Sequence, residues 1–201
     1  MSTRPFHHGN LRAVLLDEAE EVLRQDGVDG ISLRDLARRA GVSHGAPRSH
    51  FPDRQALLDA LAERGFVRLT ALVERALGVE DPVRGQFVRV ARVYVDFAID
   101  DAALMELMFS SKGSAAPEPV RAAAGRLFHV LDAAMGDADQ TDDSGARERF
   151  TLLFAATMQG IAALVASGRV PRSQGSVLVD DAMAALLTSE LGVRAVTRPG
   201  V

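Results

Sequence analysis

Between Ile31 and Leu58 the chain reads ISLRDLARRAGVSHGAPRSHFPDRQALL, and its punctuation leaves room for little except two short helices and the start of a third. Ser32, with Asp35 three residues on, is a helix-start signal of the capping-box type. Leu33, Leu36 and Ala37 then recur at helical spacing. Ala40-Gly41 closes the helix, because glycine accepts the left-handed conformation that a helix end uses. Ser43 is a second N-cap candidate, and the spacing predicts a second helix over His44 to Phe51. Pro52-Asp53 ends that helix and caps a third. Two helices joined by a tight turn containing Gly form the helix-turn-helix pattern, whose second helix enters the major groove of DNA.

Charge agrees with that pattern. From Arg34 to Arg54 there are five arginines (Arg34, Arg38, Arg39, Arg48, Arg54) against Asp35 and Asp53, a segment of net +3 in a chain of net -4. The first 70 residues hold ten Arg and ten acids, so the other 131 carry the whole negative balance. An overall acidic chain does not coat nucleic acid indiscriminately. An acidic body with a locally basic head suits site-specific binding.

Gly41-Val42-Ser43, His50-Phe51-Pro52-Asp53-Arg54 and Ala56-Leu57-Leu58 together resemble the DNA-binding domain of the TetR family of bacterial transcriptional regulators. The family string is GVS…YxHFxxK…LL. The chain is most similar to a subgroup that opens on a His-His-Gly element and carries Ala-Pro in the recognition helix, here His7-His8-Gly9 and Ala46-Pro47. Arg48 stands where the family has Tyr, and Arg54 where it has Lys. The resemblance covers roughly the first 70 residues. It implies an all-α fold, with an N-terminal three-helix helix-turn-helix domain followed by a larger helical domain for ligand binding and dimerisation. It also implies a homodimer on a palindromic double-stranded DNA operator, released by a small-molecule effector.

The head supplies its own candidates for DNA contact. A helix start at Ser43 offers a hydroxyl and exposed amides of the kind that bind phosphate. His44, Ala46 and Ser49 are expected to face base edges, and Gly45 to let the backbone approach closely. Pro47 costs only an early helical hydrogen bond. By the resemblance, His50 and Arg54 occupy backbone-contact positions, while Arg48 is a backbone or base-edge contact. Phe51 is expected in the core. His7 and His8 lie on an N-terminal arm that is either a groove contact or a loose tail.

Beyond the head, helical patterns follow one another. Asp53 to Leu77 reads as a long helix and Gly78 as its stop. The expected boundaries are 1–55 for the DNA-binding domain, its connecting helix continuing to about 78, and 79–201 for the body. Asp81-Pro82 restarts a helix with Asp as N-cap. Val83, Phe87, Val90, Tyr94 and Phe97 mark one face of it. Leu104 to Phe109 is a short apolar helix, Ser110 to Pro119 a loop, and Val120 to Met135 another helix. Gly136 to Gly145 is acidic and loosely mimics a calcium loop. Asp142 stands where that loop's sharp turn requires Gly, so a solvated linker is the reading.

Arg147 to Ser167 is the most apolar helix. From Leu152 to Ala166 only Thr157 and Gln159 are polar, a pattern expected to be buried all round. The run is too short and Ala-rich to favour a membrane. Ser173 to Leu191 is the last helix, with Val177, Ala182, Ala185 and Leu186 on one side. Gly160, Ala163, Leu164, Ala182 and Leu186 are the expected dimer seam. Tyr94, Phe97, Met105, Met108, Phe109, Phe128, Phe154 and Met158 are the candidates for an effector pocket, with ordinary core packing as the other reading.

Nothing here carries catalysis. There is no cysteine, and no phosphate-loop, zinc-protease or hydrolase-elbow motif. No metal or cofactor is expected. The N-terminus lacks the apolar stretch of a secretory signal, which leads to an expectation of a cytoplasmic location and no membrane partner. The expected function is a sequence-specific transcriptional regulator, a repressor released by an apolar or aromatic effector. The alternative is a helical ligand-binding or interaction protein whose head has lost its DNA affinity.

Overall fold

The structure is a computed structural model, described over residues 11–79, 81–110, 116–136 and 145–196. Among these residues every regular element is helical, as the sequence implies. The α-helices are α1 (Leu11–Asp26), α2 (Leu33–Arg39), α3 (Arg54–Leu77), α4 (Val83–Asp100), α5 (Ala102–Ser110), α6 (Glu118–Ala134), α7 (Ala146–Ala166), α8 (Arg172–Thr188) and α9 (Glu190–Ala195). The chain divides into two compact units. The first is 1–65 with 103–121, and the second is 66–102 with 122–201. The division falls inside α3 and α6, and most of α5 belongs to the first unit.

In the first unit, α1 buries Leu15, Leu16, Ala19, Val22 and Leu23, the stripe its periodicity marks. α2 is short because Gly41 stops it. Gly41 has φ 67°, and its amide and that of Val42 donate to the carbonyls of Arg38 and Ala37 at 3.2 and 3.0 Å. This is the paired end motif that glycine permits at low cost. Ser32 does occupy the N-cap of α2, but its side chain makes no capping bond, so the expected capping box is not formed. Asp53 does cap α3, its carboxylate accepting from the Ala56 amide at 2.8 Å. α5 lies tight on α3 at Gly65, where a Cβ would stand 2.5 Å from the Met108 sulfur and 3.2 Å from Leu104.

The expected second helix of the motif is instead a short 3-10 turn, Ala46–Ser49. Three residues explain the difference. Gly45 is a poor helix former, Pro47 lacks an amide and biases Ala46 away from the α conformation, and Pro52 does the same to Phe51. The amides of Ala46, Arg48 and His50 consequently bond three residues back, at 3.0, 3.2 and 3.0 Å. Gly45, not Ser43, holds the N-cap position.

In the second unit α4, α7 and α8 pack on one another, and α9 packs on α7 and α8. Phe87 of α4 meets Phe150 of α7 edge-on at 6.0 Å, and Tyr94 meets Phe154 at 6.2 Å. The turn from α3 to α4 is tied by one guanidinium. Arg89 donates to the carbonyls of Ala76 and Val79, each at 3.0 Å, and pairs with Asp81. Asp81 is therefore held by Arg89 rather than serving as the expected N-cap, a position taken by Pro82. The last expected helix is broken at Ser189, whose hydroxyl accepts from the Gly192 amide at 3.0 Å and starts α9. The buried line of α8 is Gly175, Val179 and Met183, not the side chosen from the sequence.

Candidate nucleic-acid interface

The reading surface is a small turn on an apolar anchor. Pro47 is buried beneath it, and Phe51 at its end is 2% exposed. The Arg12 guanidinium lies 5.4 Å from the Phe51 ring centre, a cation–π contact that roofs the anchor. Above the anchor, Ser43, His44, Gly45, Arg48, Ser49 and His50 are exposed, and Ala46 is half-buried. The Ser49 hydroxyl donates to the Ala46 carbonyl at 2.7 Å and so faces back along the turn. Neither the Arg34 nor the Arg48 guanidinium makes a hydrogen bond or ion pair with another described residue. Arg38 and Arg39 have acidic neighbours, Asp35 at 3.5 Å and Glu18 at 3.8 Å, in loose surface pairs.

Arg54, expected at the DNA backbone, is exposed and makes two hydrogen bonds within the chain. Its Nε donates to the Ile31 carbonyl at 3.0 Å and its Nη2 to the Val28 carbonyl at 2.6 Å. These partners lie 23 and 26 residues away, in the connection between α1 and α2. No local pattern announces such a contact. The arm with His7 and His8, and most of the acidic Gly136–Gly145 loop, lie outside the described residues.

The expected effector residues fall in both units. Tyr94, Phe97, Phe154 and Met158 are buried in the second unit. Burial pushes the Tyr94 phenol up to about 12, so it stays protonated, and its oxygen lies 3.4 Å from Gln159 Oε1. Met105 and Met108 are buried too, but in the first unit. Phe109 is 47% exposed and Phe128 39% exposed, so neither is the interior residue expected. They stand beside residues that are buried: Leu104 and Leu107 on α5, and Leu127 and Leu131 on α6.

α7 likewise corrects the sequence reading. It is long and apolar enough to cross a membrane by length and composition alone, a test that the core helix of a soluble protein also passes. It is not buried all round. Leu152 is 57% and Leu153 44% exposed, and Ala156, Gly160 and Ala163 are exposed along the same side. α4, α8 and α9 cover only the opposite side, where Phe150, Phe154, Met158 and Ile161 are buried. Leu164, Ala182 and Leu186 are half-buried.

An all-helical chain with a helix-turn-helix head and a helical body has an architecture found among DNA-binding regulators. Residues 15–61 match the description "Bacterial regulatory proteins, tetR family", and residues 87–189 match "Tetracyclin repressor-like, C-terminal domain". The chain belongs to the TetR family of bacterial transcriptional regulators. A protein of unknown function from Rhodococcus sp. RHA1 is similar over nearly its whole length, with 42% identity, a TM-score of 0.78, and coverage of 92% of this chain and 97% of that one. The HTH-type transcriptional regulator YobS of Bacillus subtilis is 30% identical over 98 residues, 49% of this chain and 51% of that protein. The class A tetracycline repressor of Escherichia coli is 51% identical over 45 residues, 22% of this chain and 21% of the repressor. The chain thus spans about half the length of the first of these curated relatives and about a fifth of the second.

Proposed function

We propose that this chain is a homodimeric, cytoplasmic repressor that binds a palindromic operator through the Ala46–Ser49 turn and leaves it when an apolar or aromatic small molecule enters the body. The observation that carries the reading is the turn itself. Exposed Ser43, His44, Arg48, Ser49 and His50 stand on a buried Pro47 and Phe51, which fixes where polar groups meet a groove. The amides and hydroxyl around Ser43 and the Arg48 guanidinium serve as phosphate or base-edge contacts, and Gly45 and Ala46 keep the approach close.

Dimerisation is supported by the exposed apolar side of α7. Leu152, Leu153, Ala156, Gly160 and Ala163 make a stripe that water disfavours and a second copy would cover. Ala182 and Leu186 of α8 extend that seam. Two copies then present two heads to half-sites about one helical turn or a multiple apart. For the effector, the support is a buried aromatic and methionine cluster in the second unit (Tyr94, Phe97, Phe154 and Met158) with one phenol for a polar group to meet. Release is a population shift, and a tenfold loss of operator affinity needs a coupling of only about 1.4 kcal/mol.

Fluorescence anisotropy with a labelled duplex from the DNA flanking its own gene tests the proposal. The expected result is binding roughly a thousandfold tighter than to a scrambled duplex at the same salt. Equal affinity for both duplexes would leave only non-specific attraction and end the operator reading. Titrating hydrophobic compounds into the complex then tests release.

A further inference from the structure

We propose that Arg54 positions the reading head instead of contacting DNA. Its guanidinium is a clamp that fixes the connection between α1 and α2 to the first turn of α3. The inference builds on the DNA-binding reading above and assigns one residue a different task within it.

The geometry carries the assignment. Arg54 is the first residue of α3, immediately after the Asp53 cap. Its Nε and Nη2 reach the carbonyls of Ile31 and Val28 at 3.0 and 2.6 Å. Val28–Gly30 is a single 3-10 turn, and Ile31 precedes the N-cap Ser32, so both carbonyls belong to irregular backbone outside the α-helical ladders. The side chain of Ile31 is buried, at 2% exposure, which fixes the connection from the inside. The guanidinium fixes it from the outside. A planar fork can donate to two carbonyls three residues apart in one fixed arrangement, whereas an ammonium is a single point on a flexible stem. Hydrogen bonds from a charged donor are the stronger kind.

The consequence is mechanical. α2 begins directly after the clamped segment, and the Ala46–Ser49 turn packs on α2. The start of α3 and the start of α2 are thereby held together, with the reading turn between them in sequence. Two of the three guanidinium nitrogens of Arg54 are committed to the chain's own backbone, although the residue is exposed, whereas Arg48 makes no bond to a described residue.

Two measurements on the full-length chain test the clamp. The first needs no DNA. Hydrogen exchange of the amides in residues 28–36 is expected to speed up about tenfold in both Arg54→Ala and Arg54→Lys, with exchange in α7 unchanged. The second is the dependence of operator binding on salt. A phosphate contact removed by Arg54→Ala lowers the slope of log affinity against log salt by about 0.9, and Arg54→Lys restores it. A clamp gives the opposite signature: both variants weaken operator binding about tenfold and neither changes the slope. Unchanged exchange in residues 28–36 overturns the proposal. So does a slope that falls in Arg54→Ala and recovers in Arg54→Lys. Failure of the wild-type chain to bind any DNA would overturn the function proposed above, and the exchange measurement would still decide the clamp.

Discussion

The reading turn at Ala46–Ser49 and the middle of α7 both face outward, and they do so on opposite terms. The turn shows polar side chains over a buried apolar anchor, so its exposure costs little and leaves donors ready for a charged ligand. The outer side of α7 shows Leu152, Leu153, Ala156, Gly160 and Ala163 over an equally well buried inner side. Exposed apolar area of that kind is unfavourable by roughly 25 cal/mol per Å² until something covers it. On the function proposed above, the same outward position suits different partners: a solvated polyanion for the turn and an apolar surface for the helix. Exposure alone does not distinguish them. What lies beneath and which atoms point out do.

Substituting one residue on each side breaks the comparison reciprocally. The largest effect is expected from Phe51→Ala. Its ring is 2% exposed and sits under the Arg12 guanidinium, so truncation should cost about 3–5 kcal/mol of head stability. Operator binding should vanish while the proposed dimer through α7 persists in sedimentation. Retained binding at wild-type affinity would show that the turn does not depend on its anchor.

Ala163→Arg is the mirror image. Ala163 is exposed in the single chain, so the fold should tolerate a longer side chain there. In a dimer seam the new charge would be buried without a partner, at about 3 kcal/mol or more. Sedimentation at micromolar concentration should show monomers, with the head still folded by circular dichroism. If the variant remains dimeric, the copies meet elsewhere and the α7 stripe has another occupant.

Arg48→Ala sharpens the head's side of the comparison and is milder. As a phosphate contact, Arg48 should take about 0.9 from the salt slope and weaken all sequences alike. As a base contact, it should relax the sequence preference by about 1–3 kcal/mol at the position it reads. An unaltered affinity and preference would mean that this guanidinium is only solvated surface.

The parts of the fold set by local chemistry are legible in the sequence. The Gly41 stop, the Asp53 cap and the α4 face of Phe87, Val90, Tyr94 and Phe97 all depend on neighbours within a turn or two. What needed the structure depends on competition or distance. Ala46–Ser49 is a 3-10 turn because Gly45, Pro47 and Pro52 act together, and a helix drawn over His44 to Phe51 weighs each singly. Arg54 binds carbonyls 23 and 26 residues away, which no periodicity encodes. On α8 the apolar residues are spread around the helix, so the buried line Gly175, Val179 and Met183 was set by what α4 and α7 present. Phe128, 39% exposed beside the buried Leu127 and Leu131, is the same lesson: an apolar residue beside an apolar stripe belongs to the core only if something packs there.

The smallest effect concerns how α8, which carries part of the expected seam, is held. Its first residue, Arg172, forks to two acids of α4, with Nη1 2.7 Å from Asp100 Oδ1 and Nη2 2.8 Å from Asp96 Oδ1. Further along, Arg92 of α4 reaches Asp180 of α8 at 2.7 Å. The hydrogen bond from Arg172 holds the Asp100 carboxyl below its ordinary range. A carboxyl depressed in the folded state adds stability above its unfolded value, near 3.9, and that gain disappears as the pH falls through the lower folded value. The pair is about half exposed, with side-chain exposures of 51% and 57%, so solvent screening should keep the gain under about 1 kcal/mol. At fixed protein concentration, Arg172→Ala should therefore lower the melting temperature by no more than about 2–4 °C at pH 7. The difference from wild type should shrink as the pH is taken from 5 to about 2. A difference that holds constant or widens on acidification would mean that Arg172 stabilises α8 by packing, and that the charge pair contributes nothing to the placement of this helix.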